Sequence, residues 1–172
     1  MLIDSEELRQ LMRNWASGVT VVTASDGEHR HGMTVSSFTS LSLQPPRVLV
    51  SLEKTSRTHQ LIQHSGFFGI TILAQDQQSI SDRFAGRIGT LDENRFEGLA
   101  VEVLTSGAPF IVGGLAYLDC HIVHSFDTGT HTLFIGEVIA MFNALSGQPL
   151  LFFNREYRTL GGNPEIWGGC GD

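Results

Sequence analysis

Lysine is nearly missing from this chain. Among 172 residues only Lys54 is a lysine, set against ten arginines, and the formal net charge is −7. No run of basic residues forms a stripe. That excludes a general nucleic-acid binder, because contacts to a phosphate backbone need clustered Lys and Arg. Cysteine is scarce as well. Cys120 and Cys170 lie far apart and fit no metal-ligand spacing. Such usage suits a reducing compartment, so a cytoplasmic location is expected, with Cys120 a buried thiol in an apolar run. No stretch approaches the roughly 18 consecutive apolar residues of a membrane span. The first ten residues carry Asp4, Glu6 and Glu7, where a secretory signal would be basic and then apolar. A Gly-x-Ser-x-Gly elbow, a Gly-x-Gly-x-x-Gly fingerprint and a Walker loop are all missing.

What is present reads as one domain of many short strands. Asp4 with Glu7 three residues on predicts a helix start, and Leu8, Leu11, Met12 and Trp15 give residues 4–15 one apolar face. Strands are predicted over 19–24, 33–39, 48–52, 67–73, 115–126, 132–142 and 150–153. Asp26-Gly27 and Asp127-Thr128-Gly129 read as hairpin turns. Ser56 is a predicted N-cap for a helix ending near Gly66, and a second short helix is predicted over 76–84. Residues 87–98 read as a polar loop. Residues 1–160 form the expected domain, and 161–172 a Gly-rich mobile tail. Few helices and frequent turns point to an antiparallel barrel or sandwich with helical decoration.

Three segments can carry chemistry. Residues 32–42 hold six hydroxyl side chains in eleven, which fits either the solvent face of a strand or a site that brings backbone and hydroxyl donors against a flat polar ligand. Residues 51–57 pass from a strand into a helix and contain Lys54 between Ser51 and Ser56. That is either an ordinary cap with a solvated charge or a phosphate site at a helix N-terminus. His131 follows a hairpin loop, where it is either structural or a ligand contact. His121 and His124, with His131 and Cys120, invite a metal reading. Strand residues three apart face opposite sides, however, so no metal site is expected.

In order and spacing, six segments together carry a resemblance. They are Gly18-Val19-Thr20-Val21-Val22-Thr23, Gly32-Met33-Thr34-Val35-Ser36-Ser37-Phe38, Leu41-Ser42-Leu43-Gln44-Pro45-Pro46, residues 51–56, Ile80-Ser81-Asp82-Arg83-Phe84-Ala85-Gly86 and residues 131–138. From about Leu8 to Leu160 the chain resembles the short flavin reductases. These are the reductase components of two-component flavin-dependent monooxygenases, the family of the 4-hydroxyphenylacetate 3-monooxygenase reductase. The resemblance implies a mostly β, antiparallel FMN-binding split barrel of Greek-key type, and a homodimer. It implies an NAD(P)H:flavin oxidoreductase that uses NADH or NADPH to reduce FMN or FAD and supplies a partner oxygenase. The other classes weighed are a non-catalytic FMN carrier or sensor and an oxidase of the pyridoxamine-phosphate type. By the same resemblance Thr34, Val35, Ser36 and Ser37 contact the flavin ring and ribityl chain. Ser51, Lys54 and Ser56 hold its phosphate, and Phe84 and Ala85 border it. His131, Tyr157 and Arg158 meet the nicotinamide nucleotide, with His131 and Thr34 the catalytic candidates. The family often places Asp where this chain has Thr130, which leaves His131 without that carboxylate.

Overall fold

The computed structural model describes residues 3–88 and 94–161. The predicted tail (from residue 162) and the middle of the predicted 87–98 loop lie outside the described residues. Helix α1 (Ser5–Leu11) starts at Asp4, whose carboxylate accepts from the Glu6 N–H at 3.3 Å, and Glu6 and Glu7 complement the helix dipole. The α-helix is shorter than predicted. It tightens into a 3₁₀ turn over Met12–Asn14 before the chain extends at Trp15. Its apolar face is also not in the core: Leu8, Leu11, Met12 and Trp15 are all at least half exposed. Among the described residues no other element packs over that face.

Among the described residues, twelve strands follow. They are β1 (Ser17–Gly18), β2 (Thr20–Ser25), β3 (Arg30–Val35), β4 (Thr39–Leu43), β5 (Pro46–Glu53), β6 (Phe67–Ile72), β7 (Val101–Val103), β8 (Pro109–Ile111), β9 (Ala116–Asp127), β10 (His131–Asn143), β11 (Leu151–Phe153) and β12 (Glu156–Arg158). Helix α2 (Arg57–Ser65) lies between β5 and β6, and α3 (Gln78–Phe84) follows β6. Ser56 caps α2 as predicted, accepting from the His59 N–H, and Gly66 ends it with φ 77, a left-handed conformation that glycine adopts without a Cβ clash. The predicted 33–39 strand is two strands, β3 and β4, parted by Ser36–Phe38.

Seven strands form one antiparallel sheet in the order β3-β2-β6-β9-β10-β5-β4. It curls into a barrel that stays open between β3 and β4, the split barrel that the resemblance implied. Central β2 is buried on both faces. Val22 and Ala24 point to one cluster with Val50, Leu52, Phe68, Ile70 and Phe134. Val19 and Val21 point to a second with Leu73, Phe84, Phe96, Ile111 and Leu150. A β-bulge at Val123 sets His121 opposite Glu137 and His124 opposite Ile135. The two histidines therefore share a face, contrary to the regular-strand expectation, because the extra residue shifts the alternation by one. Among the described residues no group of three His, Cys, Asp or Glu side chains is placed to hold a metal ion. Cys120 is a buried free thiol, and burial raises its pKa. No described helix is long and apolar enough to cross a membrane.

Candidate active site

Where β3 ends, the chain leaves the sheet and opens a cleft against α3. A slot of about 160 Å³ is lined by Val19, Thr34, Val35, Ser36, Ala85 and Tyr157, among others. A wider chamber of about 530 Å³ is lined by His31, Thr34, Ser56, Arg57, Ala85 and Arg95 with their neighbours. Thr34 and Ala85 line both, so the two are compartments of one cleft. One end offers hydroxyls against an apolar floor. The other offers two guanidinium groups beside the start of α2.

A hydrogen-bond network sets the slot. The Thr34 hydroxyl donates to the Ser81 carbonyl at 2.7 Å. Tyr157 Oη lies 2.8 Å from both Ser81 Oγ and Asp82 Oδ1, and Arg87 donates to the same carboxylate at 3.0 Å. Burial raises the Tyr157 pKa, so the phenol stays protonated as a donor at neutral pH. Thr34 has its hydroxyl hydrogen committed to Ser81, which leaves its oxygen lone pairs toward the cleft. The exposed Ser36 lies just past the last β2–β3 pair, Thr20 with Val35, and outside the ladder. Ser37 is tied down instead: its Oγ donates to the Ser51 carbonyl at 2.7 Å and accepts from the Ser51 N–H at 3.2 Å. That pair bridges the split of the barrel and fixes the position of Ser36.

At the cationic end, Arg95 donates to the carbonyls of Phe84 (2.8 Å) and Gly32 (3.0 Å). Burial, and the nearby Arg57, lower the Arg95 pKa. Such a pair of like charges is relieved by an anion. Phe84 is fully buried, its ring edge-on to Phe96, and serves as the floor of the chamber. Ser56 is occupied as the cap: its hydroxyl donates to the Glu53 carbonyl and accepts from His59. The helix α2 begins here, at Arg57.

His31 forms a 2.8 Å hydrogen bond with Thr58 Oγ1. Its pKa is lowered to about 4, chiefly by burial and then by Arg95 and Arg57. The unfolded chain binds this proton near pH 6.5 and the folded one does not, so the contribution to stability is lost as pH falls from about 6.5 toward 4. His31→Gln is expected to flatten that part of the stability curve. Urea unfolding of both chains at pH 7 and pH 4.5 checks this; parallel curves would remove His31 as its source.

Five predicted residues line neither compartment: Ser37 and Ser51, which form the strut, and Lys54, His131 and Arg158. Lys54 lines neither compartment. Its ammonium binds Asp127 Oδ2 at 2.5 Å, and its N–H donates to the Thr130 carbonyl. His131 opens β10 opposite Glu53, exposed, with Nδ1 2.9 Å from the Thr130 hydroxyl. It also lines neither compartment. Arg158 pairs with Glu156 two residues away on the exposed end of β12. The sequence reading passed over His31, Arg57, Arg95, Ser81 and Arg87. Arg57 could have been found, since it opens α2 beside the predicted cap. Arg95 gave no local signal, because it reaches the cleft from a loop 63 residues beyond Gly32.

Comparison with known proteins agrees with this geometry. The flavin reductase like domain matches residues 12–161. An NADH-dependent flavin reductase of Rhodococcus sp is 40% identical over 166 residues, which cover 94% of this chain and 90% of that protein. HsaB, the reductase subunit of a flavin-dependent monooxygenase of Rhodococcus jostii (strain RHA1), is 35% identical over 158 residues, covering 92% and 79%. The Streptomyces globisporus C-1027 NADH:FAD oxidoreductase SgcE6, solved in complex with NAD and FAD fragments, superimposes with a TM-score of 0.85 at 33% identity, covering 95% of this chain and 98% of that one. With a split barrel, a hydroxyl-lined slot and a dicationic chamber in one cleft, the chain belongs to the flavin reductase-like family.

Proposed function

We propose that this chain passes a hydride from NADH to FMN or FAD and releases the reduced flavin to a separate oxygenase in the cytoplasm. The observation that carries this reading is the continuity of the cleft. A flat ring fits between β3 and α3, and its phosphate tail runs past Thr34 and Ala85 to Arg57 and Arg95.

The two cofactors supply the redox chemistry, nicotinamide giving hydride and flavin accepting it. The protein's part is placement. Ser36 and the backbone around it offer donors to the polar edge of the ring, and preorganised donors there favour charge that builds on reduction. Val19, Val35 and Ala85 keep the slot dry, and the small Ala85 leaves room for a ring edge. Tyr157 is held by Ser81 and Asp82 at the mouth, where a second ring can stack. The phosphate role passes from Lys54 to Arg57, Arg95 and the first amides of α2. Ser51 and Ser37 act through the strut they form, not through direct contact. His131 meets no part of this cleft from within its own chain. A homodimer is the expected assembly. Leu41, Leu43, Ile139 and Met141 are exposed near the open edge and suit burial by a second copy.

The purified chain is expected to oxidise NADH only when a flavin is added, with FMN or FAD bound at roughly micromolar Kd, about −8 kcal/mol. Stopped-flow absorbance at the nicotinamide and flavin bands, with titration calorimetry, checks both. Inactivity with FMN, FAD and riboflavin alike would overturn the assignment.

A further inference from the structure

We infer that Asp82 is a positioning residue for this site. Its carboxylate ends a path of hydrogen bonds that crosses the slot, and so fixes the distance at which the flavin ring receives hydride. The inference deepens the reading of this chain as a flavin reductase and rests on it.

The two walls of the slot belong to different sheets. Thr34 and Val35 come from β3 of the barrel, whereas Phe152 and Tyr157 come from the β11–β12 hairpin. The hairpin sits in a separate sheet of order β1-β11-β12, where β12 is the free edge. Both its strands are three residues long, and β1 beside them has two. So short a sheet is marginal by itself. Side chains must hold this wall in place, and those that do rise from α3.

Tyr157 Oη carries one hydrogen but has three polar neighbours. Asp82 Oδ1 and Ser81 Oγ lie at 2.8 Å, and an Arg87 Nη at 3.3 Å. The guanidinium can only donate and the carboxylate can only accept. The phenol therefore donates to Asp82, and the Ser81 hydroxyl donates to the phenol. This assignment satisfies every contact. The Ser81 carbonyl accepts from the Thr34 hydroxyl at 2.7 Å. One path thus runs from Thr34 through Ser81 and Tyr157 to Asp82, from one wall to the other.

Asp82 is its charged end. The same oxygen accepts from Arg87 at 3.0 Å. That contact holds the guanidinium 5.5 Å from the centre of the Phe152 ring and 5.8 Å from that of Tyr157. Asp82 itself lines neither compartment, so it acts through Tyr157 and Arg87. Without the carboxylate, the phenol keeps only Ser81 and Arg87 loses its anchor. The hairpin wall is then free to shift, and a displacement of about 1 Å costs roughly 100-fold in a transfer step.

The test compares the full chain with Asp82→Ala, Asp82→Asn, Tyr157→Phe and the double variant Asp82→Asn/Tyr157→Phe. Stopped-flow bleaching of bound FMN at saturating NADH reads hydride transfer, and fluorescence titration reads the Kd for FMN. Asp82→Ala is expected to slow transfer about 10- to 100-fold. The Kd for FMN stays near the parental value. Asp82→Asn keeps the shape and an acceptor oxygen but not the charge, and falls between. In the Tyr157→Phe background the added Asp82→Asn is expected to slow transfer less than it does in the parent, because the hydroxyl it acts through is gone. If Asp82→Ala does not fold, Asp82→Asn and Tyr157→Phe carry the same comparison. Asp82 variants that fold with parental transfer rates would overturn the proposal. So would strict additivity in the double variant. A fall in FMN affinity as large as the fall in rate would overturn it too, since Asp82 would then shape the binding site as a whole. Failure of the reductase reading looks different: the parent itself bleaches no flavin with NADH, and the inference falls with that reading.

Discussion

Replacing Phe68 by alanine is expected to lower the stability of the fold by about 3–5 kcal/mol. The ring is fully buried on β6 in the middle of the barrel. Its neighbours leave room for nothing else. A Cβ placed on Gly136 would stand 2.5 Å from Phe68 Cζ and 2.8 Å from the Cys120 Cβ. Gly136 in β10 is thus small because Phe68 is large, and truncating the ring opens a cavity that β6 and β10, each hydrogen-bonded to β9 between them, cannot close. Domains of this size have roughly 5–15 kcal/mol in total, so the loss is a large share. The pairing gives the prediction a second edge. Gly136→Ala alone overpacks the site and costs on the order of 1–3 kcal/mol. Combined with Phe68→Leu, the same alanine is expected to cost less than in the parent, a coupling of about 1 kcal/mol in a double-mutant cycle. Urea unfolding of the four chains measures it. Strict additivity would show that the two residues do not share a space.

Arg95→Ala is expected to weaken FMN about 10- to 100-fold while riboflavin, which has no phosphate, changes only a few-fold. The first figure follows from losing a charge-assisted contact of about 1.5–3 kcal/mol. The smaller riboflavin effect comes from the side chain's other task, since it also holds the carbonyls of Gly32 and Phe84. Arg95→Lys keeps the charge but loses the fork, and falls between the two. Lys54→Ala serves as the contrast. Its ammonium is engaged by Asp127 outside the cleft, so FMN and riboflavin affinities are both expected to stay near parental values. Fluorescence titration of the two flavins checks all three variants. If Lys54→Ala weakened FMN selectively and Arg95→Ala weakened both flavins equally, the phosphate would belong at Lys54.

Local rules were enough for much of this molecule. The cap at Ser56, the helix stop at Gly66, the 127–129 hairpin and the strand over 19–24 follow from residue chemistry within a few positions of each other. So does the hydroxyl-rich strand end that forms one wall of the cleft, because strand ends place side chains by simple alternation. What the sequence by itself determined was therefore the class of fold, the family, and the residues of one wall. The tertiary structure decided which cations face the cleft. Lys54 lies two residues before the Ser56 cap and reads as a phosphate partner, yet the end of β9 brings Asp127 to it and the ammonium binds that carboxylate. Arg95 looked like loop, yet chain closure brings it to Gly32 and Phe84. The physical reason is common to both. A backbone pattern is local and periodic, whereas an ion pair forms with whichever opposite charge the packing delivers, at any separation along the chain.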